Sequence, residues 1–279
     1  WRYEQVQQGR FREFYQTNVD VFGSAEPAAD AEIVAYAADA LTDLGLSADD
    51  FEFRVSHRDI LGGLIESMDG EDGSGSTLDV PEAIRAVDKR AKVEDEEYYD
   101  LLGAAGLPRD DARAFDEVLA SGDLDEVVAF AGTERVESAV SNLRSVLDAA
   151  EDFGAGEYCT LSLSTARGLD YYTGVVFECF DTTGEVSRSV FGGGRYDDLV
   201  EDYGGQPTPA VGVALGAETL SLLCQRAGAW PEEALSTDYY VLQAGETREE
   251  AAGIVRALRG RGHVVETDVS GRSFGAQLD

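Results

Sequence analysis

Arginines concentrate at the start of the chain, where residues 2–16 are RYEQVQQGRFREFYQ. Guanidinium groups bind phosphate and carboxylate oxygens through paired hydrogen bonds, so arginines that face each other across a tight turn would form a receptor for an anion. Surface arginines paired with Glu4 and Glu13 are the simpler interpretation of this spacing, and on spacing alone they are favoured.

Two further clusters combine glycine with tyrosine and arginine. They are RGLDYYTG at 167–174 and FGGGRYD at 191–197. Successive glycines allow a backbone to approach a ligand closely, although they are more often part of a turn. Adjacent tyrosines are more often half-buried in a strand than placed around a ligand. No nucleophile motif accompanies His57 or His263, so we expect both histidines to be structural or exposed to solvent.

An extended backbone would bring the first cluster together. We predict two strands, over residues 1–6 and 11–22, joined by a turn. Because side chains alternate between the two faces of a strand, Gln16, Asn18 and Asp20 would share one face. A polar row of this kind indicates either a site or a face exposed to solvent.

The remainder of the chain alternates between strand-rich and helical stretches. Apolar spacing predicts mainly helices between residues 81 and 152, then strands that include 186–191 and 210–215. After a proline-containing linker, a β-α-β pattern begins near residue 238. The predicted fold class is α+β, with a sheet assembled from segments that are distant in sequence.

The chain is strongly acidic, with 55 Asp and Glu against 22 Lys and Arg in 279 residues and a formal charge of −33. A basic partner would predict one acidic block, but these charges are spread along the chain, so we favour adaptation to concentrated salt. A hydrophobic content of 43% supports packed cores and excludes a wholly disordered chain. The few cysteines and histidines predict no disulfide framework and no metal site, and the lack of a long apolar run or signal pattern predicts a cytoplasmic protein without a membrane partner.

Together, the three clusters resemble the histidyl-tRNA synthetase family of class II aminoacyl-tRNA synthetases. Residues 2–16 are similar to the second class II motif in its histidine-specific form, R-x-E-x-x-x-x-G-R-x-R-x-F-x-Q. RGLDYYTG and Gly192–Asp197 are similar to the two histidine-specific signatures, in the family's order. The resemblance covers nearly the whole chain and, with its acidity, indicates a haloarchaeal-like member truncated at both ends.

The resemblance implies a class II antiparallel sheet with flanking helices, a helical insertion and a partial α/β anticodon-binding domain. Residues 1–62 and 156–230 would form the catalytic core, 63–155 the insertion and 237–279 the partial anticodon-binding domain. The implied enzyme is a histidine–tRNA ligase, which uses ATP and Mg²⁺ to form histidyl-adenylate and then charges the 3′-terminal adenosine of tRNA(His). The full-length protein would be a homodimer, whereas this chain alone would be inactive.

The resemblance also implies roles for individual residues. Arg167 would be catalytic, because it would hold the histidine carboxylate against the reacting phosphate. The other implied contacts are ATP binding by Arg2, Glu4 and Arg10, histidine binding by Gln16, Asp20, Arg167, Tyr171 and Tyr172, and pocket positions at Gly193, Gly194, Arg195 and Tyr196.

One position departs from the family pattern. The third class II motif normally ends in Gly-x-Glu-Arg, whose arginine binds the far phosphate of ATP, but residues 216–219 are Gly-Ala-Glu-Thr. Either another arginine such as Arg195 or Mg²⁺ supplies the missing charge, or ATP binding is weakened.

Two rival functions fit the same resemblance. One is the synthetase-like, histidine-binding regulatory subunit of ATP phosphoribosyltransferase, which Thr219 slightly favours but the Arg167 signature and the anticodon-domain pattern oppose. The other is a non-catalytic synthetase-like domain that senses tRNA. Pyrophosphate exchange that depends on histidine would distinguish the enzyme from both rivals.

The charge of −33 predicts a stability that depends on salt. Folding concentrates carboxylates, and at 0.01 M salt, where the Debye length is about 30 Å, their repulsion favours unfolding. We expect melting temperatures measured by circular dichroism to rise steeply from dilute buffer to molar KCl. A melting temperature that stays flat or falls would indicate that the acidity serves a basic partner.

Overall fold

The computed structural model describes residues 1, 3, 5–6, 11–68, 78–90, 93–165, 171–186, 188–230 and 237–278. The chain divides into two compact units, Trp1–Trp230 and Pro231–Asp279. Arg2, Glu4, Arg10 and Arg167 lie outside the described residues.

Six strands of the first unit form one mixed sheet. They are β1 (Gln16–Phe22), β2 (Phe51–His57), β3 (Cys159–Leu161), β4 (Val175–Asp181), β5 (Phe191–Arg195) and β6 (Ala210–Gly216). The order across the sheet is β1-β6-β5-β4-β2-β3, in which β2 and β3 are parallel and the other pairs are antiparallel. Distant segments thus meet in one sheet, which confirms the predicted α+β class.

Helices pack against this sheet and against one another. In the first unit they are α1 (Pro27–Asp43), α2 (Arg58–Ser67), α3 (Val80–Lys89), α4 (Asp95–Ala104), α5 (Arg109–Ser121), α6 (Leu124–Ala131), α7 (Glu134–Asp152), α8 (Leu199–Asp202) and α9 (Ala217–Arg226). The long helices α1 and α7 contact each other, and they also contact β6 and β2, respectively. The helices α2 to α7 follow one another in the chain and pack as a connected group.

The second unit contains a short parallel pair of strands, β7 (Tyr239–Val241) and β8 (Val265–Thr267). The helix α10 (Arg248–Arg259) connects them and packs on both strands. A last helix, α11 (Phe274–Leu278), follows β8. None of the helices within the described residues combines the length and the apolar character that a bilayer-spanning helix needs.

The first strand is shorter than the predicted strand over 11–22. β1 pairs with β6 from Gln16 opposite Gly216 to Phe22 opposite Ala210. After Gly216, at the end of β6, the chain turns into α9. Tyr15 therefore lies opposite the start of a helix, and its carbonyl oxygen accepts a hydrogen bond from the Ala217 N–H at 2.9 Å. The described residues before β1 are not in strands, which corrects the prediction for residues 1–6.

The glycine cluster is a buried central strand rather than a turn. Sequence spacing placed the strand at 186–191, but β5 begins at Phe191 and continues through the three glycines. A Cβ on Gly193 would lie 2.2 Å from the Gly212 carbonyl oxygen and 2.7 Å from the Phe177 ring. Only glycine fits so close to a neighbouring backbone and a core aromatic ring.

A buried ion pair ties α1 to the sheet. Arg195 at the end of β5 donates to both oxygens of Asp30 in α1, with Nη2 2.6 Å from Oδ2. The side chain of Arg195 is 7% exposed and that of Asp30 is 1% exposed. Burial raises the pKa of Asp30, and the hydrogen bond from Arg195 opposes the rise. Arg195 also donates to Asp197 and to the Ser24 carbonyl oxygen, so its charge is well compensated.

Removing Asp30 should destabilise the fold strongly. Asp30→Ala leaves a buried guanidinium without its main carboxylate, and we expect a loss of about 3 kcal/mol in the free energy of unfolding, at the low end for such pairs because Asp197 remains. Denaturant unfolding in molar KCl measures this loss. The control is Arg144→Ala, which removes an exposed pair with Asp125 and should stay within about 1 kcal/mol of the parent. Equal effects of the two substitutions would contradict a structural role for the buried pair.

Candidate active site

A cavity of about 1130 Å³ opens on one face of β1, β5 and β6. β1 lines it with its even-numbered residues from Gln16 to Phe22, whereas Val19 and Val21 pack against the core on the other face. Alternation along the strand thus separates the polar lining from the apolar core, as the spacing predicts. The volume is large enough for more than one small ligand.

Phe22, Tyr171, Tyr172 and Tyr196 form an aromatic cluster at the Asp20 end of the cavity. The Tyr196 hydroxyl donates a hydrogen bond to Asp20 Oδ1. The ring centroids of Tyr171 and Tyr172 lie 4.8 Å apart. The Tyr196 ring meets Tyr171 edge-on at 6.1 Å and Phe22 edge-on at 6.4 Å. This arrangement of a carboxylate among aromatic faces fits a flat ring that carries an N–H donor.

Tyr196 holds Asp20 as a hydrogen-bond donor. Burial raises the pKa of the Tyr196 hydroxyl, and the hydrogen bond to Asp20 raises it further, so the hydroxyl stays protonated and donates at neutral pH. Tyr196 is the one donor to Asp20 found within the described part of the chain. Oδ2 of Asp20 is thereby left for a donor on a ligand.

Gly212 provides the space that Asp20 occupies. The register of β1 and β6 places Asp20 opposite Gly212. A Cβ on Gly212 would lie 2.0 Å from Asp20 Oδ1, so a larger residue would displace the carboxylate. Gly212 was not among the site residues predicted from the sequence. A pairing of the strand around Asp20 with the predicted strand 210–215 would have revealed it.

The opposite end of the cavity lies beside Gln16, four residues from Asp20 and thus about 13 Å away along the strand. Gln16 Nε2 donates to Asn18 Oδ1 at 2.7 Å. Glu218 Oε1 accepts the Tyr15 N–H at 3.3 Å. Glu218, Thr219 and Arg188 also line the cavity, and none of them is among the site residues predicted from the sequence.

Thr219 occupies the position at which the family motif has an arginine. It is buried in the first turn of α9, and its hydroxyl donates to the Val190 carbonyl oxygen. The side chain therefore fastens α9 to the segment that enters β5. It supplies no positive charge to the cavity.

The predicted pocket positions in the glycine cluster divide between the two faces of β5. Tyr196 lines the cavity, whereas Gly193, Gly194 and Arg195 do not. Gly193 lies against the core, and a Cβ on Gly194 would lie 3.0 Å from the Tyr172 ring. The prediction that Arg195 supplies charge to the pocket is corrected, because this arginine points to α1 and pairs with Asp30.

Neither histidine lines the cavity. His57 is buried and caps α2, since its Nδ1 accepts the Asp59 N–H at 3.1 Å. Burial lowers the pKa of His57 to about 4, so the ring is neutral at pH 7 and Nδ1 keeps the lone pair that accepts this bond. The described residues contain no group of three or more His, Cys, Asp or Glu side chains that could hold a metal ion.

Comparison with known proteins identifies the family. A family model described as Histidyl-tRNA synthetase matches residues 1–220. The chain is 70% identical over 278 residues to a protein named Histidine--tRNA ligase from Natronomonas pharaonis, and 69% identical over 284 residues to one of the same name from Halorubrum lacusprofundi. Each match covers the whole chain but only 63% of the relative's length. These relatives are haloarchaeal, which agrees with the salt adaptation inferred from the composition.

The fold is shared with a solved structure. The histidyl-tRNA synthetase from Nostoc sp. PCC 7120 superposes with a TM-score of 0.79 at 23% identity, over 96% of this chain and 64% of that one. This likeness confirms the predicted class II architecture of sheet and flanking helices. Since the family model spans most of the unit that contains the cavity, the chain belongs to the histidyl-tRNA synthetase family.

Proposed function

We propose that this chain carries the histidine-activating site of a histidine–tRNA ligase. The observation that carries the proposal is the Asp20 carboxylate, held by Tyr196 among aromatic rings at one end of a large cavity. The family membership and the names of the close relatives support the same reaction. Its substrates would be L-histidine, ATP and tRNA(His).

Asp20 would recognise the imidazole of histidine. Its Oδ2 would accept the ring N–H, while Tyr171 and Tyr172 would contact the faces and edges of the ring. A side chain without an N–H would leave the carboxylate unpaired, which is a strong basis for discrimination. Gln16, on the same strand face, would orient the backbone groups of the amino acid.

Activation would join the histidine carboxylate to ATP. A carboxylate oxygen attacks the α-phosphorus, the new C–O–P anhydride forms, and the bond to the β-phosphate oxygen breaks so that pyrophosphate leaves. A hydroxyl of the 3′-terminal ribose of tRNA then attacks the carbonyl carbon, and AMP leaves. Positioning and charge stabilisation are the main contributions that side chains can make to such a transfer.

Arginines would supply most of that stabilisation. Arg167 would hold the histidine carboxylate against the α-phosphate, and it precedes Tyr171, which lines the cavity, by only four residues. Arg2 and Arg10 would hold the ATP phosphates. Glu4 would contact adenine or support the loop between these arginines.

Mg²⁺ fits the same cavity at Glu218. Magnesium is usually bound by one or two carboxylates together with substrate phosphates and several waters. Glu218 is a cavity-lining carboxylate at the end away from Asp20, and Oε1 already accepts the Tyr15 N–H, which leaves the second oxygen. When bound, the ion would neutralise phosphate charge.

The domain assignment follows from the same proposal. Residues 1–62 and 156–230 would be the catalytic core, 63–155 its helical insertion and 237–279 the beginning of the anticodon-binding domain. The protein would act as a homodimer in the cytoplasm, together with its tRNA. The regulatory-subunit and tRNA-sensor alternatives are not favoured, because the close relatives are named as ligases.

Arg167→Ala tests the activation step. In a protein extended to the length of its relatives, we expect histidine-dependent pyrophosphate exchange to fall by about 10²- to 10³-fold, as for loss of a group that stabilises transition-state charge. Arg167→Lys should recover little, because a point charge does not reproduce the planar fork of guanidinium. Near-normal exchange with unchanged circular dichroism would contradict the role of Arg167.

Asp20→Asn tests the recognition of imidazole. The substitution keeps the size of the side chain but replaces a charged acceptor, so calorimetry should show a loss of about tenfold or more in histidine affinity and little change for ATP. Asp125→Asn is the matched control, because Asp125 lies in α6, outside the cavity, and its side chain is 85% exposed. Equal losses for histidine and ATP would make Asp20 a structural residue.

A further inference from the structure

Arg188 lies directly before β5, on a segment that forms hydrogen bonds with β4 on one side and with α9 on the other. The Ser189 hydroxyl donates to Glu178 Oε1 at 3.0 Å, and the Val190 N–H donates to the Cys179 carbonyl oxygen at 2.8 Å. The Val190 carbonyl oxygen accepts from Thr219. Arg188 is half-buried and lines the cavity, and the backbone directly after it is anchored by these bonds.

Arg188 differs from the other arginines described in the first unit, because it has no partner among the described residues. Most arginines described in the first unit form ion pairs, as Arg54, Arg90 and Arg226 do with carboxylates. Within the described residues of that unit, Arg188 is the one arginine without a hydrogen bond, an ion pair or an aromatic contact. It is also the one basic side chain among the described residues that line the cavity.

Arg188 lies at the end of the cavity away from Asp20. Antiparallel pairing aligns Asp20 with Gly212 and Gly194, and Asn18 with Ala214 and Gly192. Two residues further along each strand, Gln16 and Gly216 are level with Val190, which agrees with the hydrogen bond from Thr219 to Val190.

Arg188, two residues before Val190, is therefore placed beyond Gln16 at the end of the cavity away from Asp20. A ligand whose imidazole meets Asp20 would extend its anionic end toward Arg188. The two ends of the cavity thus differ in character, with the Asp20 carboxylate and aromatic rings at one end and Arg188 together with the Glu218 carboxylate at the other.

We propose that Arg188 binds the β- and γ-phosphates of ATP and replaces the charge that Thr219 cannot supply. This assignment rests on the proposed function and identifies which side chain meets the leaving group. Arg188 and Thr219 lie on the two segments that the Thr219–Val190 hydrogen bond joins, so an arginine on the segment before β5 lies near the position where α9 lacks one. The planar fork of Arg188 would pair with two phosphate oxygens and stabilise the charge that pyrophosphate gains as the α-phosphate bond breaks.

The test compares ligands that differ only in these phosphates. In a protein extended to the length of its relatives and held in molar KCl, calorimetry would measure ATP and AMP binding to the parent, Arg188→Ala and Arg188→Lys. We expect Arg188→Ala to weaken ATP by about 10- to 100-fold and AMP by less than about 3-fold, as for loss of a charged hydrogen-bonding group. Arg188→Lys should retain part of the ATP affinity. Arg144→Ala, an exposed arginine outside the cavity, should bind both ligands as the parent does.

Exchange kinetics provide a second readout. Arg188→Ala should raise the KM for ATP and lower kcat for pyrophosphate exchange, while the KM for histidine stays within about 3-fold. Unchanged ATP affinity, or equal losses for ATP and AMP, would overturn the assignment of Arg188. In that case the proposed function would still stand if the parent catalysed histidine-dependent exchange. A parent that neither binds ATP nor catalyses exchange would overturn both.

Discussion

Successive side chains of a β-strand point to opposite faces of the sheet, and the candidate site depends on this alternation in the antiparallel strands β1, β6 and β5. On β1 the even-numbered residues face the cavity and Val19 and Val21 face the core. The pairing of β1 with β6 brings Gly212 opposite Asp20, although the two are far apart in sequence. The chemistry of the site depends on this register, because a slip of one residue would send Asp20 into the core.

The same constraint explains which predictions from sequence succeeded. Alternation along a single strand placed Gln16, Asn18 and Asp20 on one face without knowledge of their partners. The glycine cluster could not be placed in this way, because a glycine run has no side-chain pattern and is also typical of turns. What makes it a strand is the close approach of Gly212 and the Phe177 ring, and both contacts come from distant segments.

Arg195 shows why residue type alone is a weak guide to a binding role. An arginine beside three glycines is a reasonable candidate for a phosphate site, yet its neighbours across the sheet decide its partner. Asp30 is buried in α1 with no pattern that marks it as an ion-pair partner, since an acidic residue near a helix start is equally expected as a cap. Arg188 was not predicted as a site residue, because the predicted strand over 186–191 includes it, whereas β5 begins only at Phe191.

Salt adaptation and substrate binding place different demands on the same charges. At molar salt the Debye length is about 3 Å, so surface carboxylates no longer repel strongly and a charged ligand is not attracted from a distance. Recognition must then come from groups in direct contact, with hydrogen bonds that salt does not screen. Asp20 meets this demand through its bond to Tyr196, and the Asp30–Arg195 pair meets it inside the fold. Within the described part of the first unit most arginines form ion pairs, and Arg188 is the one without a partner, which is consistent with a charge kept for a ligand that binds at contact distance.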